Sequence, residues 1–428
     1  MDYQETLTYL YNSAPLFQQI GQGAYKEGLA NTYAFDEHFG HPHRKYRTIH
    51  IAGTNGKGSC SHTLAAILQA AGYKTGLYTS PHLIDFRERI RVNGIPASKE
   101  FVIDFVEKHR PFFEPLHPSF FELTTAMAFR YFAEQEVDVA VIEVGLGGRL
   151  DCTNIIMPDL CVITNISFDH VQFLGNTLAK IASEKAGIIK ENIPVVIGET
   201  TSETKPVFRQ KAGSMHAPVI FAEEEALLKG FSRNEDGTYL YQTEDYQNLT
   251  GELRGLCQLK NTNTLLSAIR QLKKSGYRLD EKDIRQGFAH VCELTGLMGR
   301  WQQLSEKPAI VCDTGHNTGG MQYIVEQLKG QTCQTLRIVI GMVNDKDIGG
   351  VLAMLPKEAH YYFTQASVKR ALPASQMKEA AANFGLQGEA YPDVASAMKA
   401  ARQEASDKDF IFVGGSTFIV ADLLSLNN

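Results

Sequence analysis

A glycine-rich turn between an apolar segment and a helical pattern carries the clearest chemistry in the chain. It reads Arg47-Thr-Ile-His-Ile-Ala-Gly53-Thr-Asn-Gly56-Lys57-Gly58-Ser59. Glycines let backbone N–H groups turn toward phosphate oxygens, the lysine adds positive charge, and the serine offers a hydroxyl to Mg²⁺. The common P-loop has a glycine where this chain has Ile51 and a hydroxyl residue where it has Gly58. The segment therefore predicts a variant loop for ATP phosphates, and a strand–helix turn without a ligand is the alternative.

A carboxylate ends a second apolar segment. Glu143 closes Val141-Ile-Glu and is followed by the glycine-rich run Gly145-Leu-Gly-Gly-Arg-Leu-Asp151. Mg²⁺ prefers oxygen ligands and takes few of them from the protein, so Ser59 and Glu143 suffice as a predicted magnesium site. A salt bridge at the strand end is the alternative for Glu143.

A histidine and a lysine follow a third apolar segment. His170 can bind a metal through a neutral imidazole nitrogen, with Asp169 beside it as a ligand or orienting group. A hydrogen-bonded structural role is the alternative for this histidine. Lys185 follows on a helical pattern and, by its spacing alone, is typical of a surface lysine.

These residues need a scaffold, and the chain alternates short apolar runs with helical patterns, as in an α/β fold with a mostly parallel sheet. Strands are predicted at Thr48–Ala52, Val137–Val144 and Leu160–Ile166, with a helix at Ser59–Ala71 after the glycine-rich turn. In such sheets ligands bind outside the carboxyl ends of the strands. We therefore expect Glu143 to share a sheet edge with the glycine-rich loop, and the polar residues that follow these strands to face a ligand.

The remainder of the chain predicts an antiparallel appendage and a second domain. The appendage is expected between about Glu223 and Leu249, and a helix from Lys260. A second series of strands is predicted at Ala309–Cys312, Leu336–Ile340, His360–Thr364 and Phe410–Val413. We place an ATP-binding domain at residues 1–295 and a smaller Rossmann-like domain at residues 296–428, with the boundary near Gly296.

Composition excludes several classes of protein. The 428 residues are 43% hydrophobic and 21% charged, without an apolar run long enough to cross a bilayer, which favours a globular protein without a membrane role. No secretory signal is visible, and the seven cysteines form no C-x-x-C pair, so a cytoplasmic protein with reduced thiols is expected. The net charge of −6 argues against a nucleic-acid partner and leaves small polyanions as ligands.

Taken together, the motifs resemble one known family. They are Gly53-Thr-Asn-Gly-Lys-Gly-Ser59, Thr79-Ser-Pro-His-Leu83, Glu88-Arg-Ile-Arg-Val-Asn-Gly94, Glu143-Val-Gly-Leu-Gly-Gly-Arg149, Asp169-His170 and Ser183-Glu-Lys-Ala-Gly-Ile188. In this order they resemble the folylpolyglutamate synthase/dihydrofolate synthase family, which belongs with the Mur ligases. The likeness continues through Arg254–Asn261, Gly299-Arg300, Asp313–Asn317, Gly341–Asp347 and Gly415-Ser416, and so covers nearly the whole chain.

The resemblance implies a Mur ligase-like fold, with an N-terminal P-loop ATPase-like domain and a smaller Rossmann-like domain. It also implies an ATP- and Mg²⁺-dependent ligase that joins the carboxylate of dihydropteroate or of a reduced folate to the amino group of L-glutamate. The carboxylate first takes the γ-phosphate as an acyl phosphate, which the amine then displaces, leaving ADP and phosphate. An acyl phosphate hydrolyses readily, so we expect the site to close between two domains.

The same resemblance assigns residues on the ATP side. ATP-binding positions are Gly53, Thr54, Asn55, Gly56, Lys57, Gly58, Ser59, Asn261, Arg300 and Asp313. Ser59 and Glu143 are expected to hold one Mg²⁺, and His170 to help hold a second. Lys185 matches a lysine that the family carbamylates to N6-carboxylysine, and His316, beside Asn317, matches a position in the closed cleft. Lys57, His170, Lys185 and His316 form the expected catalytic set.

On the acceptor side, the resemblance implies a folate or dihydropteroate pocket. Its expected residues are Thr79, Ser80, Pro81, His82, Phe121, Glu122, Leu150, Asp151 and Cys152. The alternative is that these residues serve turns and helix packing, which would explain Ser-Pro and Asp equally well.

Several functions remain open at this point. The enzyme makes dihydrofolate, extends folate polyglutamates or does both, and we favour the bifunctional form. A Mur-type ligase acting on a cell-wall precursor is disfavoured because only 52 residues precede Gly53. A regulator that binds ATP without turnover is a third hypothesis. The expected partners are small-molecule substrates, and the family implies a monomer.

Overall fold

The chain folds into two compact units in the computed structural model, which describes residues 1–13 and 28–426. One unit comprises Met1–Glu252 with Gln258–Leu297, and the other comprises Leu253–Cys257 with Met298–Asn428. Each unit is built on its own sheet. Among the described helices, none combines the length and apolar character that crossing a membrane requires.

An eight-stranded sheet forms the centre of the first unit, in the order β4-β3-β2-β5-β1-β6-β7-β8. Its strands are β1 (Arg47–Ala52), β2 (Thr75–Tyr78), β3 (Ile90–Val92), β4 (Ile95–Pro96), β5 (Val139–Glu143), β6 (Leu160–Ile163), β7 (Val195–Ile197) and β8 (Val219–Phe221). In this spatial order, all neighbouring pairs from β2 to β8 are parallel. The strands β3 and β4 add an antiparallel edge beside β2. The predicted α/β class is confirmed.

Helices cover both faces of this sheet. They are α1 (Tyr3–Ser13), α2 (Ala30–His38), α3 (Lys57–Ala70), α4 (Lys99–Phe113), α5 (Phe120–Glu134), α6 (Val171–Leu174), α7 (Leu178–Ala186), α8 (Lys205–Ser214), α9 (Ala222–Glu225), α10 (Gln258–Lys274), α11 (Glu281–Ala289) and α12 (Val291–Thr295). Short 3₁₀ turns lie at Pro42–Lys45, Phe86–Arg89, Glu114–Leu116 and Cys152–Ile155. On β5, Val141 packs into the core that contains α3, whereas Ile142 packs into the core that contains α5. A strand buried on both faces explains why it reads as a continuous apolar run.

The register of three central strands creates the edge that matters for function. Ile51 of β1 pairs with Glu143 of β5, and Ala52 pairs with Ile163 of β6. Gly53, Val144 and Thr164 therefore leave the sheet side by side. The expectation that Glu143 shares an edge with the glycine-rich loop is confirmed.

The predicted antiparallel appendage is a three-stranded sheet. Its strands are β9 (Leu228–Arg233), β10 (Tyr239–Thr243) and β11 (Leu249–Gly251), with β10 in the middle. Tyr239 and Tyr241 are buried in the same core as Leu265 and Leu266 of α10. The appendage thus packs on the helix that also carries Asn261.

The second unit is a six-stranded sheet in the order β12-β13-β17-β14-β15-β16. Its strands are β12 (Gln302–Glu306), β13 (Ala309–Cys312), β14 (Leu336–Ile340), β15 (His360–Phe363), β16 (Gly388–Ala390) and β17 (Phe410–Gly414). Its helices are α13 (Thr318–Lys329), α14 (Ile348–Leu352), α15 (Ala374–Ala382), α16 (Val394–Glu404) and α17 (Thr417–Ser425). All strand pairs except β12–β13 are parallel, which fits the predicted Rossmann-like architecture.

A short upstream segment completes this second unit. Leu256 N donates to Gln327 Oε1 at 2.8 Å, and Gln327 Nε2 donates to the Arg254 carbonyl at 3.0 Å. Arg254 Nη1 also donates to Gln303 Oε1 at 2.7 Å. Residues 253–257 are therefore fixed to α13 and β12, a connection that the sequence did not indicate.

Candidate active site

The glycine-rich loop joins β1 to α3 with a backbone that only glycine fits easily. Gly53 has φ +143° and Gly56 has φ +84°, both in the left-handed region. A Cβ at Gly53 would collide with Thr164 Oγ1, and one at Gly56 would collide with Asn261 Oδ1. Glycine is thus required here both by the turn and by the close approach of neighbouring side chains.

The segment after β6 holds this loop in place. Thr54 N donates to the Asn165 carbonyl at 2.9 Å, and Asn55 N donates to Asn165 Oδ1 at 3.0 Å. Asn55 Nδ2 donates to Ser167 Oγ at 3.1 Å, and Thr164 Oγ1 donates to the Asn55 carbonyl at 2.5 Å. Sequence reasoning did not assign a role to Ser167 and placed Thr164 and Asn165 inside the predicted strand Leu160–Ile166, whereas β6 ends at Ile163 and both residues lie in the loop that follows it. The three residues preorganise the loop that is predicted to receive phosphates.

Two lysines meet at one carbonyl of this loop. Lys57 Nζ donates to the Gly53 carbonyl at 3.0 Å and to the Thr54 carbonyl at 3.1 Å. Lys185 Nζ, from α7, donates to the same Gly53 carbonyl at 2.9 Å. The residue-level interpretation of Lys185 as a surface lysine is wrong, because only 5% of it is exposed.

The environment of Lys185 changes its protonation. Burial lowers its pKa to about 7, and the nearby charge of Lys57 acts in the same direction. Asp169 and Asp151 oppose this shift. A large fraction of Lys185 is therefore a neutral amine near neutral pH, which makes its nitrogen nucleophilic.

A chain of side chains connects Ser59 to α10. Gln258 Nε2 donates to Ser59 Oγ at 3.1 Å, and Asn261 Nδ2 donates to Gln258 Oε1 at 2.9 Å. All three residues are buried. Gln258 orients both a predicted metal ligand and a predicted nucleotide-binding residue, a role that sequence reasoning did not assign.

Glu143 lies at the end of β5 with 4% of its surface exposed. Its Oε2 accepts the backbone N–H of Ser80 at 3.2 Å, so the structure brings the Thr79–Leu83 loop to this carboxylate. Within the described parts of the chain, no three His, Cys, Asp or Glu residues gather as a metal-binding group. A centre with few protein ligands and oxygen donors, as Mg²⁺ takes, remains compatible with Ser59 and Glu143.

His170 occupies a left-handed backbone conformation, with φ +50°, immediately before α6. Asp169 Oδ1 accepts its backbone N–H at 2.9 Å and lies 3.8 Å from His170 Nε2. The acidic neighbour thus fixes the turn that carries the imidazole. A fixed backbone conformation at His170 is suited to an imidazole that must point toward one ligand.

Two carboxylates of the predicted folate pocket have internal partners. Asp151 accepts the backbone N–H groups of Gly145 and Leu146 at 3.0 and 2.8 Å, and both the N–H and the hydroxyl of Thr153. Glu122 Oε2 accepts the N–H of Ser119 at 2.6 Å and forms a capping box at the start of α5. Both carboxylates therefore stabilise the local backbone, which was the alternative interpretation of these segments.

The remaining members of the predicted pocket lie around the same loops. The Phe121 ring fills the space where a Cβ on Gly145 would stand, and its centroid lies 5.8 Å from that of Tyr78. Burial holds the pKa of the Cys152 thiol well above its usual value, so it stays protonated. Thr79 is buried, Leu150 is half-buried, and Pro81 is exposed.

The predicted residues of the second unit surround one carboxylate. Asp313 accepts the N–H groups of Trp301 and Gly315, each at 2.8 Å. Burial raises the pKa of Asp313, and the charge of Arg300 opposes this shift. Arg300 donates to the Gly299 carbonyl at 3.1 Å and to the Thr314 hydroxyl. His316 Nδ1 donates to the Thr314 carbonyl at 3.0 Å.

Comparisons with known proteins place this geometry in a family. Residues 51–269 match the Mur ligase middle domain, and residues 299–417 match the glutamate ligase domain of Mur ligases. The dihydrofolate synthase/folylpolyglutamate synthase of Bacillus subtilis is 32% identical, and the match covers 98% of both chains.

Solved structures agree with the sequence relatives. E. coli FolC in complex with DHPP and ADP is 30% identical with a TM-score of 0.84, and the match covers 100% of this chain and 98% of that one. A bifunctional folylpolyglutamate synthase/dihydrofolate synthase of Yersinia pestis, complexed with AMPPNP and Mn ion, is 31% identical with a TM-score of 0.83 at the same coverage. The chain therefore belongs to the dihydrofolate synthase/folylpolyglutamate synthase family of Mur ligases.

Proposed function

We propose that this chain is an ATP-dependent ligase that adds L-glutamate to dihydropteroate and to (poly)glutamyl tetrahydrofolate. The observation that carries the proposal is the glycine-rich loop with Lys57, which leaves the sheet beside Glu143 in a chain of this family. In the first step, a substrate carboxylate oxygen attacks the γ-phosphorus of ATP, and the bond to ADP breaks. In the second step, the neutral amine of glutamate attacks the acyl carbon, phosphate leaves, and the amine proton passes to solvent.

Lys57 and the loop are proposed to stabilise the first step. Phosphoryl transfer is catalysed mostly by positioning and by neutralising charge on the phosphoryl oxygens. Lys57 lies on the carbonyls of Gly53 and Thr54, so its ammonium is already at the mouth of the loop. Exchange of these carbonyls for phosphate oxygens would give it stronger, charge-assisted hydrogen bonds.

Mg²⁺ is the proposed metal, in two sites. Ser59 and Glu143 are suited to one, because a hydroxyl and a buried carboxylate are hard oxygen donors. His170 is proposed to help hold the second. Bound there, the metal would neutralise phosphate charge, while Gln258 fixes the Ser59 hydroxyl and Asp169 fixes the His170 backbone.

Lys185 is proposed to be carbamylated to N6-carboxylysine. Its neutral amine attacks the carbon of CO₂, a C–N bond forms, and one proton is lost. Its burial and its pKa of about 7 supply the neutral nucleophile that this step requires. The product is an anion, which would attract the Lys57 ammonium where the Lys185 ammonium repels it.

The other predicted residues keep the roles that the family suggests. Asn261, Arg300 and Asp313 are proposed to bind the nucleotide, and His316 to act in catalysis. We propose that the acceptor lies against the Thr79–His82 loop, Phe121, Glu122 and the Leu150–Cys152 segment. A cytoplasmic monomer is the proposed state of the protein.

Product analysis by mass spectrometry tests the function. Purified protein receives ATP, Mg²⁺ and L-glutamate with dihydropteroate in one sample and monoglutamyl tetrahydrofolate in the other. Glutamate added in both samples supports the bifunctional enzyme, and addition to the folate alone reduces the function to folylpolyglutamate synthase. ATP binding without product in either sample would overturn the proposal and favour a Mur-type substrate or a non-catalytic protein.

A further inference from the structure

A buried arginine contacts a histidine of the Thr79–Leu83 loop. Arg89 ends the 3₁₀ turn Phe86–Arg89, and its Nε donates to His82 Nδ1 at 2.8 Å. Only 3% of Arg89 is exposed, and its guanidinium lies 5.2 Å from the centroid of the Phe120 ring. Burying a guanidinium is costly, and one of its hydrogen bonds here goes to a neutral ring nitrogen.

This contact determines which nitrogen of His82 carries the proton. A guanidinium has five donors and no acceptor, so the Nδ1 lone pair of His82 must accept. A neutral imidazole has one N–H, which is then on Nε2. Within the described residues, Nε2 has no hydrogen-bond partner. The ring therefore presents a donor that the described part of the chain does not use.

The surroundings keep the ring neutral and fixed. Burial holds the pKa of His82 well below its usual value, Arg89 acts in the same direction, and Asp85 opposes them. The ring stacks on Tyr11 with centroids 6.5 Å apart and meets Phe86 edge-on at 6.2 Å. His82 thus has a defined tautomer and a defined orientation.

We propose that Arg89 is a positioning residue that holds His82 as the Nε2–H tautomer, so that Nε2 donates to an oxygen of the folate-type acceptor. The inference rests on the proposed function, because the acceptor's carboxylate and amide oxygens are the partners it names. The backbone N–H of Ser80, in the same loop, donates to Glu143, which lies at the same sheet edge as the glycine-rich loop. The Nε2–H of His82 therefore belongs to a loop that also contacts Glu143, the proposed Mg²⁺ ligand.

Arg87 provides a matched control on the same 3₁₀ turn. Its guanidinium pairs with Asp85 through Nε and Nη2 at 3.0 and 2.8 Å, an ordinary ion pair that is independent of His82 Nδ1. Arg87→Met therefore removes a guanidinium from the turn without removing the partner of the imidazole. Arg89→Met removes that partner, and Arg89→Lys keeps the charge with a different donor geometry.

The tautomer is read directly by long-range ¹H–¹⁵N correlation on histidine-labelled protein, with His82 assigned from His82→Phe. We expect the Nε2–H pattern in the wild type and in Arg87→Met, and a changed pattern in Arg89→Met. A wild-type spectrum with the proton on Nδ1, or on both nitrogens, overturns the proposal.

Kinetics test the substrate contact. Loss of one hydrogen bond to a bound oxygen corresponds to roughly a tenfold change. We expect the folate KM to rise about tenfold in His82→Phe and Arg89→Met, less in His82→Gln and Arg89→Lys, with the ATP KM unchanged. Equal folate KM values in Arg89→Met and Arg87→Met overturn the inference. A wild type that forms no glutamyl product instead overturns the proposed function, and the spectrum still reports the tautomer.

Discussion

Lys57 and Lys185, which lie on different helices, donate to the same carbonyl oxygen of Gly53, at 3.0 and 2.9 Å. Two ammonium groups this close repel one another, and the one with less access to water loses its proton more readily. The charge state of Lys185 is therefore coupled to the residue predicted to bind phosphate.

Removing Lys57 should raise the pKa of Lys185. Lys57→Met eliminates the repulsion that helps to lower this pKa. The pH midpoint of Lys185 carbamate formation, followed by ¹³C NMR at one fixed concentration of labelled CO₂, should move upward with this pKa. Lys180→Met, on the exposed side of the same helix, is the control and should leave the midpoint in place. An unchanged midpoint in Lys57→Met would show that burial alone sets the pKa.

Lys185 should make the folded state less stable at low pH. Its pKa is depressed from 10.5 to about 7 on folding, so between these values the unfolded chain binds more protons than the folded one. The free energy of unfolding should then rise with pH across this window, by at most about 1.4 kcal/mol per pH unit. Below pH 7 the contribution should be constant, because Lys185 is charged in both states.

Urea unfolding in CO₂-free buffer between pH 6 and 9 measures this effect as a difference from Lys185→Met. Other titrating groups are common to both proteins and largely cancel. A difference that does not change with pH would contradict the depressed pKa.

Alanine at Gly56 should disable the loop through sterics rather than backbone strain. Its Cβ would collide with Asn261 Oδ1, and displacing such a group by about 1 Å costs roughly 100-fold in activity. Gly72 has a similar φ of +87°, and, apart from its chain neighbours, no atom of the described residues lies within 4 Å of the point where its Cβ would stand. Gly72→Ala should therefore lose only about 1 kcal/mol of stability and keep its kcat/KM for ATP. Equal activity losses in the two variants would mean that strain is the cause.

Glu143→Gln should raise the Mg²⁺ concentration needed for activity. The amide keeps an oxygen for the Ser80 N–H but removes the charge that attracts the cation. We expect the half-saturating concentration of Mg²⁺ to increase about tenfold or more. Asp159→Asn, which alters a carboxylate paired with Arg47 just before β6, is the control. If both variants require the same Mg²⁺ as the wild type, Glu143 is not a ligand.

Asp313→Ala should destabilise the second unit selectively. The substitution leaves the N–H groups of Trp301 and Gly315 without their acceptor, at a cost of about 1–3 kcal/mol each. Trp301 is the only tryptophan of the chain, so its fluorescence follows the unfolding of this unit. Asp313→Asn retains one oxygen acceptor and should lose less. If the unfolding midpoint followed by Trp301 fluorescence is the same in Asp313→Ala as in the wild type, the structural role assigned to this carboxylate is contradicted.

The sequence was most informative where chemistry follows directly from local pattern. Glu143 and the loop after Gly53 were predicted to share a sheet edge because parallel strands align their carboxyl ends, and the pairing of Ile51 with Glu143 confirms it. The buried position of Lys185 could not be predicted from its own helix, because its ammonium donates to the carbonyl of Gly53, which is 132 positions away in the chain. Gln258 contacts Ser59 across 199 positions, and no local spacing indicates such a contact.

The position of residues 253–257 in the chain also limits how the two units can be exchanged by recombination or expressed as fragments. These residues lie between parts of the first unit in the chain, yet Gln327 fastens them to the second. The backbone therefore passes from one unit to the other three times, and neither unit corresponds to one uninterrupted stretch of coding sequence. A single crossover between Gln258 and Leu297, or an expressed fragment that begins at Met298, would separate the second unit from residues 253–257. Exchange of this unit between relatives must carry both pieces together.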